Sequence, residues 1–357
     1  MLTIAIPTYN RPKHLDKQLK TLVRIDGFSR VKLLVSDNGE DDRSERVCKK
    51  YIRRYKNIAY IRNQFNIGFD ANLQKLYNYS RTKYIWFLSD DDDVFLDDYY
   101  TIFYVLDHFK PDLLCVNSFG SRYRPSYENC VYSLCEGKQP MKQIYTGENI
   151  AVNGDDALRM IAIKLCGQIS SCLIKKNVRM FDGDTSKYGG IGHVYFANIN
   201  LLNGNGIFHI TRKPVVRQGP KDELSKWFLE SCFYGVKRNL EQPEMLFSSE
   251  LVDLYVFDIV RLALLLIEDS LSGRSHVSIS PDFDYKNEIS KLIKFHKDNI
   301  FHDEIEFLAK RVLCMNRSSI CLNSGFIKHS TRLLLRKYFP LVDYACHKFL
   351  ARRAILR

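Results

Sequence analysis

The sequence predicts an α/β protein: a doubly wound, mostly parallel sheet with helices on both faces, followed by a mainly helical C-terminal region. Over the first hundred residues, short apolar runs alternate with stretches of helical spacing, a βαβαβαβ order that calls for a parallel sheet. Each of those apolar runs ends in a polar loop. From about residue 225 onward strand-like runs give way to helical periodicity.

The first strand is LTIAIPT, residues 2–8. Leu15, Leu19, Leu22 and Val23 then recur at helical spacing, with Asn10 and Pro12 suited to a cap and first turn. VKLLVS (31–36) is the second strand, RSERVCKKYIRRY (43–55) the second helix and IAYIR (58–62) the third strand. GFDANLQKLYNYS (68–80) is the third helix and KYIWFLS (83–89) the fourth strand. DLLCVNS (112–118) adds a fifth strand. Residues 120–150, polar with Tyr, Gly and Pro, suggest hairpins or an ordered loop. DDALRMIAIK (155–164) restores a helix and ISSCLIKK (169–176) a strand, ahead of a Gly-rich stretch over 181–202. The expected division is a catalytic domain over 1–228 and a helical region over 229–357.

Composition narrows the class. With 357 residues, 45% hydrophobic and 13% aromatic, the chain is a packed globular protein rather than a disordered one. Its net charge of +12 calls for an acidic partner: nucleic acid, anionic lipid or a phosphate-bearing small molecule. Ten cysteines lie scattered, with no CxxC pair and no zinc-like His spacing, as expected of free thiols in a reducing cytoplasm. The N-terminus lacks the charged start and cleavage site of a signal peptide. The apolar stretch at 251–270 is broken by Asp253, Asp258 and Arg261, so it reads as a buried helix rather than a membrane span.

In a sheet of this kind ligands bind beyond the carboxyl ends of the strands. Four loops meet that description: Thr8 to Arg11, Ser36 to Glu40, Asn66 to Gly68, and the run Asp90, Asp91, Asp92 and Asp93. Two unit charges about 4 Å apart repel by roughly 4 kcal/mol at an effective dielectric near 20, so four adjacent carboxylates need water or a counter-ion. A solvated turn is one explanation. A phosphatase with an aspartate nucleophile is another, but that chemistry belongs with a DxDxT pattern on the first strand. The third, a divalent cation holding a diphosphate, suits hard Mn²⁺ or Mg²⁺, which take carboxylate oxygen and share remaining positions with phosphate.

The segments IAIPTYNRPKHL, LLVSDNGEDD, NQFNIGFDANL and YIWFLSDDDDVFLDDYY, in this order and spacing, resemble the landmarks of glycosyltransferase family 2, an inverting family with the GT-A fold. The resemblance covers residues 1 to about 115 well and extends loosely to about 230. It implies that Thr8, Tyr9, Asn10, Arg11 and Asp37 hold the nucleotide, with Asn66, Gly68 and Asn72 beside it. The second loop departs from the family's usual pair of acids by placing Asn38 after Asp37, and the third segment lacks the Arg often found near its end. Asp37 can accept a pyrimidine ring N–H or simply an Asx-turn N–H. Of two DxD frames, Asp90 with Asp92 is favoured over Asp91 with Asp93. In that frame Asp90 and Asp91 contact the nucleotide sugar, and Asp90 and Asp92 bind metal with Asp93 as a further ligand or as a partner that supports the ligands.

The resemblance further implies transfer of a sugar from a nucleotide-diphosphate sugar, UDP-sugar favoured, to a glycan or lipid-linked glycan hydroxyl. The setting is synthesis of a bacterial surface polysaccharide such as O-antigen or capsule. Family members commonly place the base about a hundred residues after the DxD loop. There this chain offers His193, with Asp182 or Asp184 as alternatives; a neutral imidazole, of pKa about 6.5, accepts protons well at neutral pH. Arg217 and Lys221 are candidates for gripping a diphosphate or an anionic acceptor, and Trp227 for stacking on a sugar. The basic, apolar segment 325–357, with Lys328, Arg332, Arg336, Lys337, Lys348, Arg352, Arg353 and Arg357, suits either an ordinary packed helix or peripheral attachment to the inner face of an anionic membrane. Two rival functions are a nucleotidyltransferase, which would show a Gly-rich first loop with Lys or Arg, and a basic nucleic-acid-binding protein, which the acidic ligand edge opposes.

Overall fold

A computed structural model describes residues 2–96, 98–119, 130–132, 143–145, 147, 149–219, 223–273, 275 and 277–314. The chain opens with β1 (Leu2–Thr8), α1 (Pro12–Leu22), β2 (Val31–Asp37), α2 (Arg43–Ile52), β3 (Ile58–Arg62), α3 (Phe69–Tyr79) and β4 (Tyr84–Phe87). It continues through β5 (Asp93–Val94), α4 (Tyr100–His108), β6 (Leu113–Cys115), β7 (Ser118–Phe119), β8 (Cys130–Tyr132), β9 (Gln143–Tyr145), β10 (Asn149–Ala151), α5 (Asp156–Leu165) and β11 (Cys172–Lys175). Then follow α6 (Gly192–Leu202), β12 (Ile207–Ile210), β13 (Val216–Arg217), β14 (Glu223–Leu224), α7 (Lys226–Glu230), α8 (Val236–Leu240), α9 (Ser249–Leu271), β15 (Ser278–Ile279), α10 (Tyr285–Phe295) and α11 (His302–Leu313).

The expected mainly parallel sheet is present. Eight strands lie in the order β10-β12-β6-β11-β4-β1-β2-β3. β1 is parallel to β2 and β4, and β2 to β3; β12 is parallel to β6. The exceptions are β11, antiparallel to both β4 and β6, and β10 at the edge. Every residue of β1 is buried, as a strand covered on both faces requires. Pro12 takes the first helical position of α1, where its missing N–H costs nothing. Asn10 is not the cap: Arg11 precedes the helix without a side-chain cap, while Asn10 sits at φ 53° and accepts from the Glu40 N–H at 3.4 Å.

Two buried layers flank the sheet. One packs α1, α2 and α4 through Leu15, Leu19, Val47, Ile102 and Val105 against Ile4, Val35 and Trp86. The other runs from Leu73 and Leu76 of α3 through Ile163 and Phe196 to Val256, Val260, Ile289 and Ile305 of the C-terminal helices. The boundary expected at 228/229 is therefore not a break in packing. No described helix is long and apolar enough to cross a membrane. Among the described residues Cys48, Cys115, Cys166, Cys172, Cys232 and Cys314 are free thiols.

Arg159 rivets this second layer. Fully buried on α5, it donates to Asn198 Oδ1 at 2.7 Å on α6, to the carbonyls of Met245 and Leu246 at 2.6 and 2.7 Å, and to Asp156 at 2.7 Å. Replacing it with methionine keeps much of the volume but strands buried acceptors. We expect Arg159→Met to lower stability by about 3 kcal/mol, read from the urea midpoint.

Candidate active site

Strand register brings the first two loops together. Thr8 lies opposite Asp37, and the Asn38 N–H donates to the Thr8 carbonyl at 2.9 Å. Asp37 is enclosed: its Oδ1 accepts from the Gly39 N–H at 2.7 Å and its Oδ2 from the Tyr60 hydroxyl at 2.8 Å. Of the two readings of Asp37, this geometry matches the Asx turn. Its carboxylate shapes the loop rather than standing open to a base. Burial, with the hydrogen bond to Asp37 second, pushes the Tyr60 hydroxyl well above its usual range. Tyr9 is exposed and reaches Glu40 at 3.5 Å.

The aspartate run alternates in burial, with Asp90 and Asp92 buried and Asp91 and Asp93 half-buried. Asp90 is 5% exposed and accepts from the Thr8 hydroxyl at 2.6 Å and Arg11 Nη1 at 3.3 Å. Arg11 also reaches Asp91 Oδ2 at 2.9 Å, and Ser89 donates to Asp91 Oδ1 at 2.5 Å. Asp92, 6% exposed, accepts from Gln168 Nε2 at 3.0 Å and the Gly219 N–H at 2.8 Å. Burial lifts the Asp90 carboxyl to about 6 and raises Asp92 as well, against the pull of these donors. Asp93 stands apart from its neighbours. It starts β5, where successive side chains point to opposite faces, and its Oδ1 pairs with Lys17 of α1 at 2.6 Å instead of joining Asp90 and Asp92.

The third loop closes against the second. Asn66 Oδ1 accepts from the Gly68 N–H at 3.0 Å, and Gly68 adopts φ 85°, a conformation that favours glycine. Asn38 Nδ2 donates to the Gly68 carbonyl at 3.0 Å. Asn72 is a buried strut: its Nδ2 donates to the Ser36 carbonyl at 3.0 Å and its Oδ1 accepts from Asn63 at 3.1 Å. Asp70, in the first turn of α3, accepts from the N–H groups of Gly190 at 2.6 Å and Gly192 at 2.9 Å.

These contacts form a ring. From Thr8 it passes through Asn38, Gly68 and Asp70 to the start of α6. There His193 Nε2 bonds the Gly167 carbonyl at 2.9 Å, and the adjacent Gln168 returns to Asp92. Sequence reasoning missed Tyr60, Asn63, Asp70, Gln168 and Gly219. Asn63 alone had a usable signal, its place at the end of the third strand.

His193, the expected base, lies inside the fold. The imidazole is 3% exposed, its Nε2 is committed to Gly167, and burial depresses its pKa to about 4. So enclosed, it is a weak base without a path to an incoming hydroxyl. Asp182 and Asp184 are exposed, and hydrogen bonds from Ser186 lower the Asp184 carboxyl. Arg217 on β13 lies over the Phe95 ring at 5.2 Å and opposite Asp93 in register. Trp227 is 47% exposed, in edge contact with Phe69 at 4.9 Å between centroids. Lys221 and the segment 325–357 lie outside the described residues.

The donor set can be tested against a divalent cation. Among the described residues no three His, Cys, Asp or Glu side chains converge on one point, so a closed all-protein site is excluded there. Asp90 and Asp92 are nevertheless buried carboxylates with raised pKa values at one strand end. That suits Mg²⁺ or Mn²⁺ held by one or two carboxylates with other oxygen ligands supplied by phosphate and water.

Residues 3–155 match the family model described as Glycosyl transferase family 2. The chain is 24% identical over 239 residues to the abequosyltransferase RfbV of Salmonella typhimurium, covering 63% of this chain and 69% of that protein. It is 26% identical over 131 residues to the minor teichoic acid biosynthesis protein GgaB of Bacillus subtilis, covering 36% of this chain and 14% of that protein. Its fold is similar to that of S. aureus TarS 1–349 in complex with UDP-GlcNAc, with a TM-score of 0.53 at 12% identity, over 87% of this chain and 89% of that one.

Proposed function

The chain belongs to glycosyltransferase family 2 through its domain over residues 3–155, and from that premise we propose an inverting transfer of a sugar from a nucleotide-diphosphate sugar, a UDP-sugar by preference. The acceptor is a hydroxyl of a glycan or lipid-linked glycan in a bacterial surface polysaccharide such as O-antigen or capsule. The relatives' names, an abequosyltransferase and a teichoic acid protein, support the polysaccharide setting. Action at the inner face of the cell membrane fits a lipid-linked acceptor.

The observation that carries the reading is two buried carboxylates just past β4, Asp90 bonded to Thr8 and Arg11 and Asp92 bonded to Gln168 and Gly219, at the carboxyl edge of the sheet. Asp90 and Asp92 are the residues that would hold Mg²⁺ or Mn²⁺, which supplies positive charge for the departing diphosphate. Thr8 orients Asp90 by its 2.6 Å hydrogen bond. Arg11, bridging Asp90 and Asp91, brings a guanidinium to the place where a diphosphate carries its charge. Asp37 and Tyr60 fix the loop from Asn38 to Glu40 as a wall for the nucleobase.

A thermal-shift series with UDP, GDP, CDP and dTDP, each with and without Mn²⁺, tests this. One diphosphate is expected to raise the melting temperature by several degrees only when the cation is present, since a ligand at about 100 times its Kd adds about 2.7 kcal/mol. Indifference to every nucleotide, with and without Mn²⁺, would overturn the reading.

A further inference from the structure

A single displacement at an anomeric carbon needs a group to take the proton of the incoming hydroxyl. Five carboxylates of the loops at this edge are already engaged by side chains: Asp90 and Asp91 by Arg11, Asp92 by Gln168, Asp93 by Lys17, and Asp37 by Tyr60. Asp70 differs. It is partly buried at the start of α3, pairs with no arginine or lysine among the described residues, and accepts only from the backbone of Gly190 and Gly192.

The topology puts it at the carboxyl edge of the sheet. α3 follows β3 and leads back to β4, parallel to β1, so the first turn of α3 lies at the same sheet edge as Thr8 and Asp90. α6 leads into β12, which runs parallel to β6, so its first turn lies at that edge too. Phe69 precedes Asp70 in the chain and makes edge contact with Trp227, which is half-exposed, so an aromatic surface suited to a sugar ring lies near the first turn of α3.

We infer that Asp70 is the proton acceptor of the transfer, an assignment that rests on the sugar-transfer reading above. As the hydroxyl oxygen bonds to the anomeric carbon, the bond from that carbon to the diphosphate oxygen breaks and its electron pair leaves with the diphosphate. The hydroxyl proton passes to a carboxylate oxygen of Asp70. Each oxygen accepts one backbone N–H, which fixes the group and leaves a lone pair for the proton.

Charge around the group agrees. Lys187 is engaged by Glu244 and Tyr195, Lys226 by Glu230, and His193 by the Gly167 carbonyl. Tyr188 is pushed up to about 12, mainly by burial and in part by Asp70, and stays neutral. Burial therefore sets Asp70 itself, raising it to about 6 against its two N–H donors. That makes it a stronger base than an exposed carboxylate and still ionised at neutral pH.

The test compares two nucleophiles on the donor whose nucleotide stabilises the protein. Release of nucleoside diphosphate is followed with water and with azide, an anion that brings no proton. In the wild-type chain, the ratio of release to water over release to azide should fall about tenfold per unit below a pH of about 6, a ratio in which any protonation of Asp90 cancels. Asp70→Asn should cut release to water by about a hundredfold or more and leave release to azide within about threefold. Equal losses with both nucleophiles would reduce Asp70 to a loop anchor, and no loss would discard it. The wild-type profile needs no variant, so poor folding of Asp70→Asn cannot hide the answer. A wild-type protein that binds no nucleotide and releases none would instead bring down the transfer reading itself.

Discussion

Asp90→Asn is expected to lower kcat/KM by about a thousandfold while leaving the melting temperature at or above that of the wild-type protein. The two halves of this expectation have one cause. A carboxylate at 5% exposure, compensated by one hydroxyl and one half-exposed guanidinium, is a costly group for the fold to hold ionised. An amide of the same shape removes that cost and can still accept from Thr8. It also removes the charge that a cation and a leaving diphosphate require. Melting curves and steady-state kinetics on the one variant check both. A variant that is inactive because it is unfolded, or stable and fully active, would show that Asp90 is ordinary architecture.

The second large effect concerns Gly235. A Cβ built there stands 1.8 Å from the Gly189 carbonyl oxygen, and one built on Gly189 stands 2.1 Å from the Gly235 oxygen. Gly235 is helical, with φ −67°, so alanine meets no torsional objection, only this contact. Backbone faces backbone, and no side-chain rotation relieves it. Gly235→Ala should therefore cost about 3 kcal/mol or more, lowering the melting temperature by roughly 4 °C or more. Gly189 and Gly190 adjoin the turn that supplies both N–H groups to Asp70, so transfer should fall with stability.

The sheet was legible because its strands are short apolar runs separated by helical periodicity, and the ligand edge followed from where those runs end. Asp90 and Asp92 stood out for the same reason, as acids directly after a strand too apolar for an edge position. Asp93 shows the limit. A two-residue strand pairing with residues 216 and 217 carries no local signal, yet it decides which way Asp93 points. His193 looked like a base by residue type, but its burial under Gly167 depends on a contact spanning 26 residues. Asp70 was hidden by greater distance: its partners lie 120 and 122 residues on, in a glycine turn with no chemistry of its own.

The second buried layer has a consequence for how the chain is made. Leu73, Phe87 and Phe196 share one apolar interior with Val260, Ile289 and Val312. A nascent chain of the first 228 residues therefore leaves the ribosome with the apolar side chains that share this interior with the later helices uncovered, and translation of roughly 80 more takes on the order of ten seconds. Maturation must wait for the last helices, and a fragment stopped at that point will expose a sticky surface rather than a smaller working enzyme.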